Sequence, residues 1–347
     1  MAHIIEKVAA PAQMKAVFSH LGKAVVQQTD VPAGGADHVL VRTLYSGMSN
    51  GTERLMISAN HQNPIALGYS ACGIVHSVGE GVEHVKEGDL VACYGAPYVR
   101  HAEYLSVPKH LVTPVPAEVD MKEAAFAGLG AIAIHALRQA KLQFGETAVI
   151  VGLGILGQIM AQISQAAAFN TIVYDLQAER CKLFESLAGG KSAKSLEELQ
   201  DVIKETTLGQ GVDAVLLAAN GKNTGLIDGA LDWIRDRGRV VIVGDLEMSF
   251  SRDKMFAKEA EVLISRAGGP GRYDKVYEKG GIDYPLGYVR WTEGRNMAEY
   301  IRLLREKEIN VMPLINQEVA IDEIADAYEQ LFSPNNPALG TLITYSV

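Results

Sequence analysis

The sequence has few cysteines, no long hydrophobic run and no excess of positive charge. Cys72, Cys93 and Cys181 are scattered and include no Cys-x-x-Cys pair, which excludes a disulfide framework and predicts buried, reduced thiols. No apolar run approaches the roughly 20 residues that a membrane-spanning helix needs. The net charge of −9 at pH 7 disfavours nucleic acids and acidic membranes as partners.

Secretion and metal-binding signals are missing as well. The first 18 residues contain no basic stretch followed by a long apolar core, so we expect a cytoplasmic protein. Repeats, low-complexity tracts and linkers are absent. The nine histidines form no His-x-x-x-His cluster, so most of them are expected to be surface or packing residues.

With 347 residues, the chain is long enough for two domains, because single cores rarely grow beyond about 250–300 residues. Up to about residue 125, short alternating apolar stretches punctuated by Gly and Pro predict a strand-rich, barrel-like unit. From there to about residue 268, continuous apolar runs alternate with helical stretches, which predicts an α/β unit with a doubly wound parallel sheet. Its predicted strands are Ala148–Val151, Thr171–Tyr174, Ala214–Ala218 and Val240–Val243.

A glycine-rich turn follows the first strand of this predicted sheet. Gly152, Gly154 and Gly157 form a Gly-x-Gly-x-x-Gly pattern that leads directly into a helix. The three glycines respectively allow a tight turn, a close approach of the backbone to a pyrophosphate, and close helix–strand packing. The helix N-terminus adds free N–H groups. We predict a dinucleotide site here that includes Ile155 and Leu156.

An acidic residue at the end of the second predicted strand favours one nucleotide. Asp175 lies eighteen residues after Gly157, where a carboxylate accepts hydrogen bonds from ribose hydroxyls and repels a 2′-phosphate. This position predicts NAD rather than NADP. Arg180 either approaches the same ribose or is a solvated charge on a helix face. Val243 and Gly244 complete the predicted NAD site.

The chain resembles the medium-chain dehydrogenase/reductases, the superfamily of zinc-type alcohol dehydrogenases. Stretches that look like characteristic runs of that superfamily are Leu67–Val75, Val78–Asp89 and His101–Pro108. The resemblance implies a GroES-like β-barrel catalytic domain (residues 1–124), a Rossmann NAD-binding domain (125–268) and a substrate loop that returns to the catalytic domain (269–347).

Further stretches resemble a zinc-less subgroup, namely Ser46–Glu53, Gly130–Ala133, Gly269–Asp274 and Gly287–Glu293. The subgroup includes the dehydrogenase half of bi-domain oxidoreductases and shares features with bacteriochlorophyllide hydroxyethyl dehydrogenases. Zinc enzymes of the superfamily hold their catalytic metal through Cys, His and a third ligand. The resemblance puts these positions on Ser49 or Asn50, on Tyr69 and near Gly128. None is a good zinc ligand, so we expect no metal.

Without zinc, side chains must handle the proton of the alcohol and stabilise the developing charge. Tyr69 either donates to a carbonyl or, once ionised, takes a proton, unless it only packs into the vacated metal cavity. Its ordinary pKa of about 10 would have to fall for base catalysis. Thr52 matches a proton-relay hydroxyl of zinc relatives, and Ser49 is a further hydrogen-bonding candidate. Glu53 is a general base or a supporting carboxylate, and His101 is a proton relay or a structural residue.

The Gly269–Thr292 segment is long and polar, as functional loops often are. Its residues suited to gripping a polyhydroxylated or anionic ligand are Arg272, Tyr273, Asp274, Arg290 and Trp291. The alternative is a dimer-contact or capping loop. We expect the active site to lie between Thr52 and Tyr69 on one side and this segment on the other.

The leading hypothesis is an NAD-dependent, zinc-independent dehydrogenase that oxidises a secondary alcohol of a sugar, a polyol or a related intermediate. The alternatives are a zinc-free C=C reductase of the quinone or enoyl type, and a non-catalytic NAD-binding protein. Asp175 counts against such a reductase, since many of these prefer NADPH. By analogy with the superfamily, we expect a homodimer or dimer of dimers in which the strand Val262–Arg266 continues the sheet.

Overall fold

The computed structural model describes residues 10–222, 225–333 and 338–346. The chain divides into two compact units. Unit 1 comprises Met1–Gly128, Pro270–Arg305 and Ile315–Val347, and unit 2 comprises Leu129–Gly269 and Glu306–Leu314. The chain passes from unit 1 to unit 2 after Gly128, four residues later than the limit expected from the sequence. It returns to unit 1 after Gly269, one residue later than expected. Residues 306–314 also return to unit 2, where Asn310 N donates to Gln162 Oε1 at 2.8 Å.

Sixteen strands are present in the described ranges. They are β1 (Gln13–His20), β2 (Lys23–Asp30), β3 (His38–Gly47), β4 (Ile65–Ala66), β5 (Ser70–Val78), β6 (Leu90–Tyr94), β7 (Tyr104–Pro108), β8 (Val112–Pro114), β9 (Thr147–Val151), β10 (Asn170–Tyr174), β11 (Lys191–Ala193), β12 (Val212–Leu217), β13 (Ile234–Ile242), β14 (Glu261–Ile264), β15 (Ile315–Ala320) and β16 (Gly340–Thr344).

Eleven α-helices accompany these strands in the same ranges. They are α1 (Asn50–Ser58), α2 (Met121–Ala124), α3 (Ala127–Gln139), α4 (Ile155–Ala166), α5 (Ala178–Ala188), α6 (Leu196–Thr206), α7 (Leu226–Trp233), α8 (Arg252–Ala257), α9 (Lys275–Glu278), α10 (Glu293–Arg305) and α11 (Ile324–Leu331). Short 3-10 turns occur at Lys109–Leu111, Met312–Leu314 and Ile321–Glu323.

Unit 1 is built on two β-sheets. One has the order β15-β16-β3-β5-β6-β8, with β7 also paired to β3, and the other has the order β2-β1-β4. Alternating residues of β1 and β3, such as Met14, Ala16, Val39 and Val41, enter one apolar core, as expected for sheets with a single buried face. The predicted strand-rich unit is therefore confirmed.

The register of this sheet brings the ends of three strands together. Ser46 of β3 pairs with Ala71 of β5, and Ser70 of β5 pairs with Tyr94 of β6. The residues that follow β3, precede β5 and follow β6 therefore lie at one end of the sheet. Gly95 N donates to Tyr69 O at 2.8 Å and fixes this arrangement.

Unit 2 contains a six-stranded, wholly parallel sheet with the order β11-β10-β9-β12-β13-β14. In the numbering of this unit the order is 3-2-1-4-5-6, the arrangement of a dinucleotide-binding Rossmann sheet. All five residues of β9 are buried, because helices cover both faces of such a sheet. The four strands predicted from apolar runs correspond to β9, β10, β12 and β13, so the predicted doubly wound α/β fold is confirmed.

Across the parts of the chain that the structure describes, no helix combines the length and apolar character required to cross a bilayer. The three cysteines are all buried and free.

Candidate functional site

The glycine-rich turn of unit 2 has the geometry of a phosphate cradle. Gly152 has a φ of +92°, and a Cβ there would lie 2.9 Å from Ala219 N. A Cβ on Gly157 would lie 1.8 Å from the carbonyl oxygen of Gly152, so helix α4 can approach β9 this closely only with glycine. Gly154 caps α4 and has no atom within 4 Å of its Cβ position. Open space therefore faces the free N–H groups of α4.

Asp175, directly after β10, is held against this turn. Its Oδ2 accepts a hydrogen bond from Leu153 N at 2.6 Å, and its Oδ1 accepts one from Gln177 N at 2.8 Å. Nη1 of Arg180 lies 3.5 Å from the same Oδ2. Arg180 is thus paired with Asp175, and its contact with a ribose stays a prediction. These residues fit a dinucleotide cofactor.

The remaining predicted cofactor residues lie at the same edge of the sheet. Val243 N and Gly244 N both donate to Leu217 O, at 3.0 and 2.9 Å, where β12 and β13 end. A Cβ on Gly244 would lie 2.1 Å from the carbonyl oxygen of Ala219. Ile155 and Leu156 form the first turn of α4. Sequence reasoning missed Asn220, whose Oδ1 accepts from Asp245 N at 2.7 Å beside this turn.

The predicted catalytic hydroxyls converge in unit 1. Tyr69 lies close enough to the side chains of Ser49 and Thr52 for both to act on its pKa. Ser49 is the N-cap of α1, but its side chain makes no capping bond. The backbone N–H of Ser49 donates to Oε1 of Glu53 at 2.7 Å, as the N-cap N–H does to the acidic side chain of a capping box.

Burial raises the pKa of Tyr69 to about 12, and the negative charge of Glu53 adds to this rise, while the neighbouring side chains of Ser49 and Thr52 oppose it. The direction is opposite to the one that base catalysis by an ionised tyrosine requires. Tyr69 is therefore a neutral phenol at pH 7, and a neutral phenol acts as a hydrogen-bond donor.

Glu53 belongs to a buried polar network that sequence reasoning found only in part. Its side chain has no exposed surface, and Oε2 lies 3.0 Å from His101 Nε2. Tyr328 OH donates to the same oxygen. On the far side of the imidazole, His101 Nδ1 lies 2.7 Å from Ser46 Oγ, which lies 2.7 Å from Tyr345 OH. With every oxygen occupied, Glu53 has the geometry of a supporting carboxylate, and His101 that of a structural residue.

A catalytic zinc does not fit the donors of this region. Among the described residues, no group of three or more His, Cys, Asp and Glu side chains could hold a metal ion. Glu53 and His101 are already bonded to each other and to hydroxyl groups. The third ligand position implied by the resemblance, Gly128, has no room for a side chain, because a Cβ there would lie 2.5 Å from the ring of Tyr94.

Arg272 of the Gly269–Thr292 segment has a different role from the substrate contact that was expected. Its guanidinium is buried and donates to Glu278 Oε1 and to the carbonyl oxygen of Ala96. It also lies over the rings of Tyr273, at 4.1 Å, and Tyr94, at 5.9 Å. Because its terminal nitrogens are already bonded, Arg272 fastens the segment to the loop after β6.

Other polar side chains of this segment also bind each other. Asp274, expected to contact substrate, instead caps α9 through Val276 N at 2.8 Å and accepts from Tyr284 OH. Tyr277 OH donates to Thr292 Oγ1 at 3.0 Å. Of the five residues expected to grip a ligand, only Arg272 is buried. Asp274 and Tyr273, which is 54% exposed, keep accessible surface. So do Arg290 and Trp291, with the guanidinium 4.0 Å over the indole ring.

Comparison with known proteins agrees with this architecture. The family model of the alcohol dehydrogenase GroES-like domain matches residues 35–133, and that of the zinc-binding dehydrogenases matches residues 155–279. The sorbitol dehydrogenase of Halalkalibacterium halodurans is 24% identical over 93% of this chain and 96% of its own length. The galactitol 1-phosphate 5-dehydrogenase of Escherichia coli K12 is 22% identical over 85% of this chain and 89% of its own length.

Solved structures share the fold over nearly the whole chain. The 2R,3R-butanediol dehydrogenase of Bacillus subtilis superposes with a TM-score of 0.74 at 20% identity and covers 95% of this chain and 99% of its own. The galactitol-1-phosphate dehydrogenase of Escherichia coli superposes with a TM-score of 0.77 at 21% identity and covers 95% of this chain and 100% of its own. With its GroES-like and Rossmann units and its two matching family models, the chain belongs to the zinc-type alcohol dehydrogenase-like, medium-chain dehydrogenase/reductase superfamily.

Proposed function

We propose that the chain is an NAD-dependent, zinc-independent dehydrogenase that oxidises a secondary alcohol of a polyol, a sugar or a related intermediate. The observation that carries this proposal is the Tyr69 phenol beside Ser49 and Thr52, at positions that resemble those of zinc ligands and a relay hydroxyl in the superfamily. Relatives named as sorbitol and galactitol 1-phosphate dehydrogenases support the substrate class.

Two features of unit 2 support NAD as the cofactor. The free N–H groups of α4, reached across the open space at Gly154, suit the pyrophosphate. Asp175 is fixed beside the turn, where its charge repels a 2′-phosphate. NAD accepts the hydride when bound.

Tyr69 supplies the electrostatic assistance that zinc gives in related enzymes. A neutral phenol donates a hydrogen bond to the oxygen of the alcohol and stabilises the negative charge that develops there. Ser49 and Thr52 are the hydroxyl side chains beside this phenol. Glu53 acts through these residues, because its bond to Ser49 N fixes the first turn of α1. Arg290 and Trp291 remain the candidates for contact with distant hydroxyl or phosphate groups of the substrate.

A substrate panel with metal control tests this function. The purified chain, treated with chelator and checked for zinc, is incubated with NAD or NADP and with polyols, sugars and their phosphates, while NAD(P)H absorbance is followed. We expect reduction of NAD without metal. Activity that needs stoichiometric zinc would contradict the zinc-independent mechanism. Oxidation of NADPH by quinones or enoyl thioesters alone would favour the reductase, and tight NAD binding without any turnover would favour the non-catalytic alternative.

A further inference from the structure

The imidazole of His101 lies flat against the residue that precedes Tyr69 in the chain. A Cβ on Gly68 would lie 2.7 Å from each of three atoms of this ring, Cγ, Nδ1 and Cδ2. Equal distances to three ring atoms mean that the ring presents its face to Gly68. Favourable contacts between carbon atoms lie at about 3.5–4.0 Å, so only glycine permits this packing. Gly68 also has a φ of +93°, a conformation that favours glycine.

The main chain on either side of Gly68 is hydrogen-bonded as well. His101 N donates to Leu67 O at 2.8 Å, and Gly95 N donates to Tyr69 O at 2.8 Å. His101 therefore contacts this short segment twice, with its backbone N–H group and with the face of its ring. The backbone of Tyr69 is held between this histidine and the loop after β6.

Hydrogen bonds at both ring nitrogens fix the orientation of the imidazole. Nε2 lies 3.0 Å from Glu53 Oε2, and Nδ1 lies 2.7 Å from Ser46 Oγ, which lies 2.7 Å from Tyr345 OH. One set of proton positions satisfies the whole chain of groups: Tyr345 donates to Ser46, Ser46 donates to Nδ1, and Nε2–H donates to the Glu53 carboxylate. All four side chains are buried. The ring cannot turn without leaving buried polar groups unpaired, which costs free energy.

The carboxylate of Glu53 connects this ring to the first turn of α1. Its Oε1 accepts from Ser49 N at 2.7 Å, while its Oε2 bonds to His101. One oxygen thus fixes the start of the helix, and the other fixes the ring that packs on Gly68. The position of Tyr69 relative to the hydroxyl groups of α1 therefore depends on the pair formed by Glu53 and His101.

We propose that His101 is a positioning residue that sets the place of the Tyr69 phenol through the packing of its ring on Gly68. The proposal rests on the dehydrogenase function proposed above, in which Tyr69 donates a hydrogen bond to the alcohol oxygen. Such a donor must lie about 2.7–3.1 Å from the oxygen on which charge develops, and a displacement of about 1 Å can cost about 100-fold in rate. His101 acts through Tyr69 and takes no proton in the reaction.

Steady-state kinetics test the contact between ring and glycine from both sides. Gly68→Ala places a methyl group against the imidazole, and His101→Leu removes the ring together with its bonds to Glu53 and Ser46. We expect each to lower kcat by about 10- to 100-fold and to change KM for the alcohol by less than about threefold, because the donor acts mainly in the transition state. His101→Gln, whose amide group can still donate to Glu53, should recover part of the lost kcat.

Gly88→Ala is the matched control for backbone strain. Gly88 has a φ of +88°, close to the +93° of Gly68, but no atom lies within 4 Å of its Cβ position. The control variant therefore has similar strain without a clash against a ring, and it should keep the kcat of the wild type. Wild-type kcat in Gly68→Ala or in His101→Leu, or an equal loss in both alanine variants, would overturn the proposal.

A spectroscopic signal from Tyr69 separates this proposal from the dehydrogenase function. All 13 tyrosines are replaced by fluorotyrosine, and the fluorine NMR resonance of Tyr69 is the one that Tyr69→Phe lacks. We expect this resonance to shift in Gly68→Ala and in His101→Gln, but not in Gly88→Ala, whether or not an alcohol reacts. Circular dichroism confirms that folded proteins are compared.

The two failures then give different results. An unchanged Tyr69 resonance in both Gly68→Ala and His101→Gln would overturn the positioning role, even if the wild type oxidises alcohols. Shifted resonances together with no turnover on any substrate would support the positioning of the phenol by His101 and refute the dehydrogenase function alone.

Discussion

At the scale of single residues, the phenol of Tyr69 determines how the candidate site can work. Its pKa is raised to about 12 by burial first and by Glu53 second, so it donates a hydrogen bond and does not act as a base at neutral pH. Tyr69→Phe removes this donor while keeping the ring. We expect kcat to fall by about 100-fold with little change in KM, because a donor to the developing alkoxide acts mainly in the transition state.

Steady-state kinetics of Tyr69→Phe check this expectation, with Tyr288→Phe as the matched control. Tyr288 is 90% exposed, so loss of its hydroxyl should leave kcat unchanged. Full activity in Tyr69→Phe would remove Tyr69 from the mechanism and leave it as a packing residue.

The negative charge of Asp175 leads to a second quantitative prediction at the scale of single residues. Asp175→Asn keeps an oxygen acceptor for Leu153 N but loses the negative charge that repels a 2′-phosphate. We expect the ratio of kcat/KM for NAD to that for NADP to fall by about 10- to 100-fold, since a hydrogen bond to a charged group contributes about 1.5–3 kcal/mol. Measuring both cofactors with one alcohol gives the ratio. A ratio equal to that of the wild type would mean that Asp175 does not select the nucleotide.

At the scale of secondary-structure elements, the buried network around Glu53 joins α1 to α11 and to the sheet. Tyr328 of α11 donates to Glu53 across 275 residues of sequence. Tyr328→Phe leaves a fully buried carboxylate with one partner fewer. Because Oε2 keeps its bond to His101, we expect the free energy of unfolding to fall by about 1.5–3 kcal/mol, the usual contribution of one hydrogen bond to a charged group.

Chemical denaturation measures this loss, and Tyr104→Phe provides the comparison. Tyr104 packs its ring against His76 at 5.7 Å, so removal of its hydroxyl should change stability by less than about 0.5 kcal/mol. Equal stability of the two variants would show that the hydroxyl of Tyr328 does not support the network.

The same elements show what the sequence could and could not predict. Strands β9, β10, β12 and β13 were recognisable because each is a continuous apolar run between helices, and that pattern is local. The pairing of Ser46 with Tyr345, 299 residues apart, has no local signal. Arg272 and Asp274 show a related limit: composition reveals a polar segment, but only the fold shows that its charges bind each other.

At the scale of the whole molecule, the outermost strand of unit 2 leaves backbone groups and apolar surface without a cover. Strand β14 pairs only with β13 in the described sheet, and Ile264 at its end is 63% exposed. Unpaired edge strands with apolar side chains are avoided in monomers, because they pair with other chains. We propose that β14 continues the sheet into a second copy of the chain, as the sequence led us to expect for Val262–Arg266.

Ile264→Asp tests this assembly, because a carboxylate is costly to bury in an apolar interface. Sedimentation velocity should show the wild type as a dimer or tetramer and Ile264→Asp as a species of half the mass or less, with the same unfolding profile at high protein dilution. Leu208→Asp is the matched control, since Leu208 is 88% exposed in the turn after α6 and away from the strand, and it should keep the mass of the wild type. A wild-type protein that sediments as a monomer, or an Ile264→Asp variant that assembles normally, would mean that the edge of β14 is not the interface.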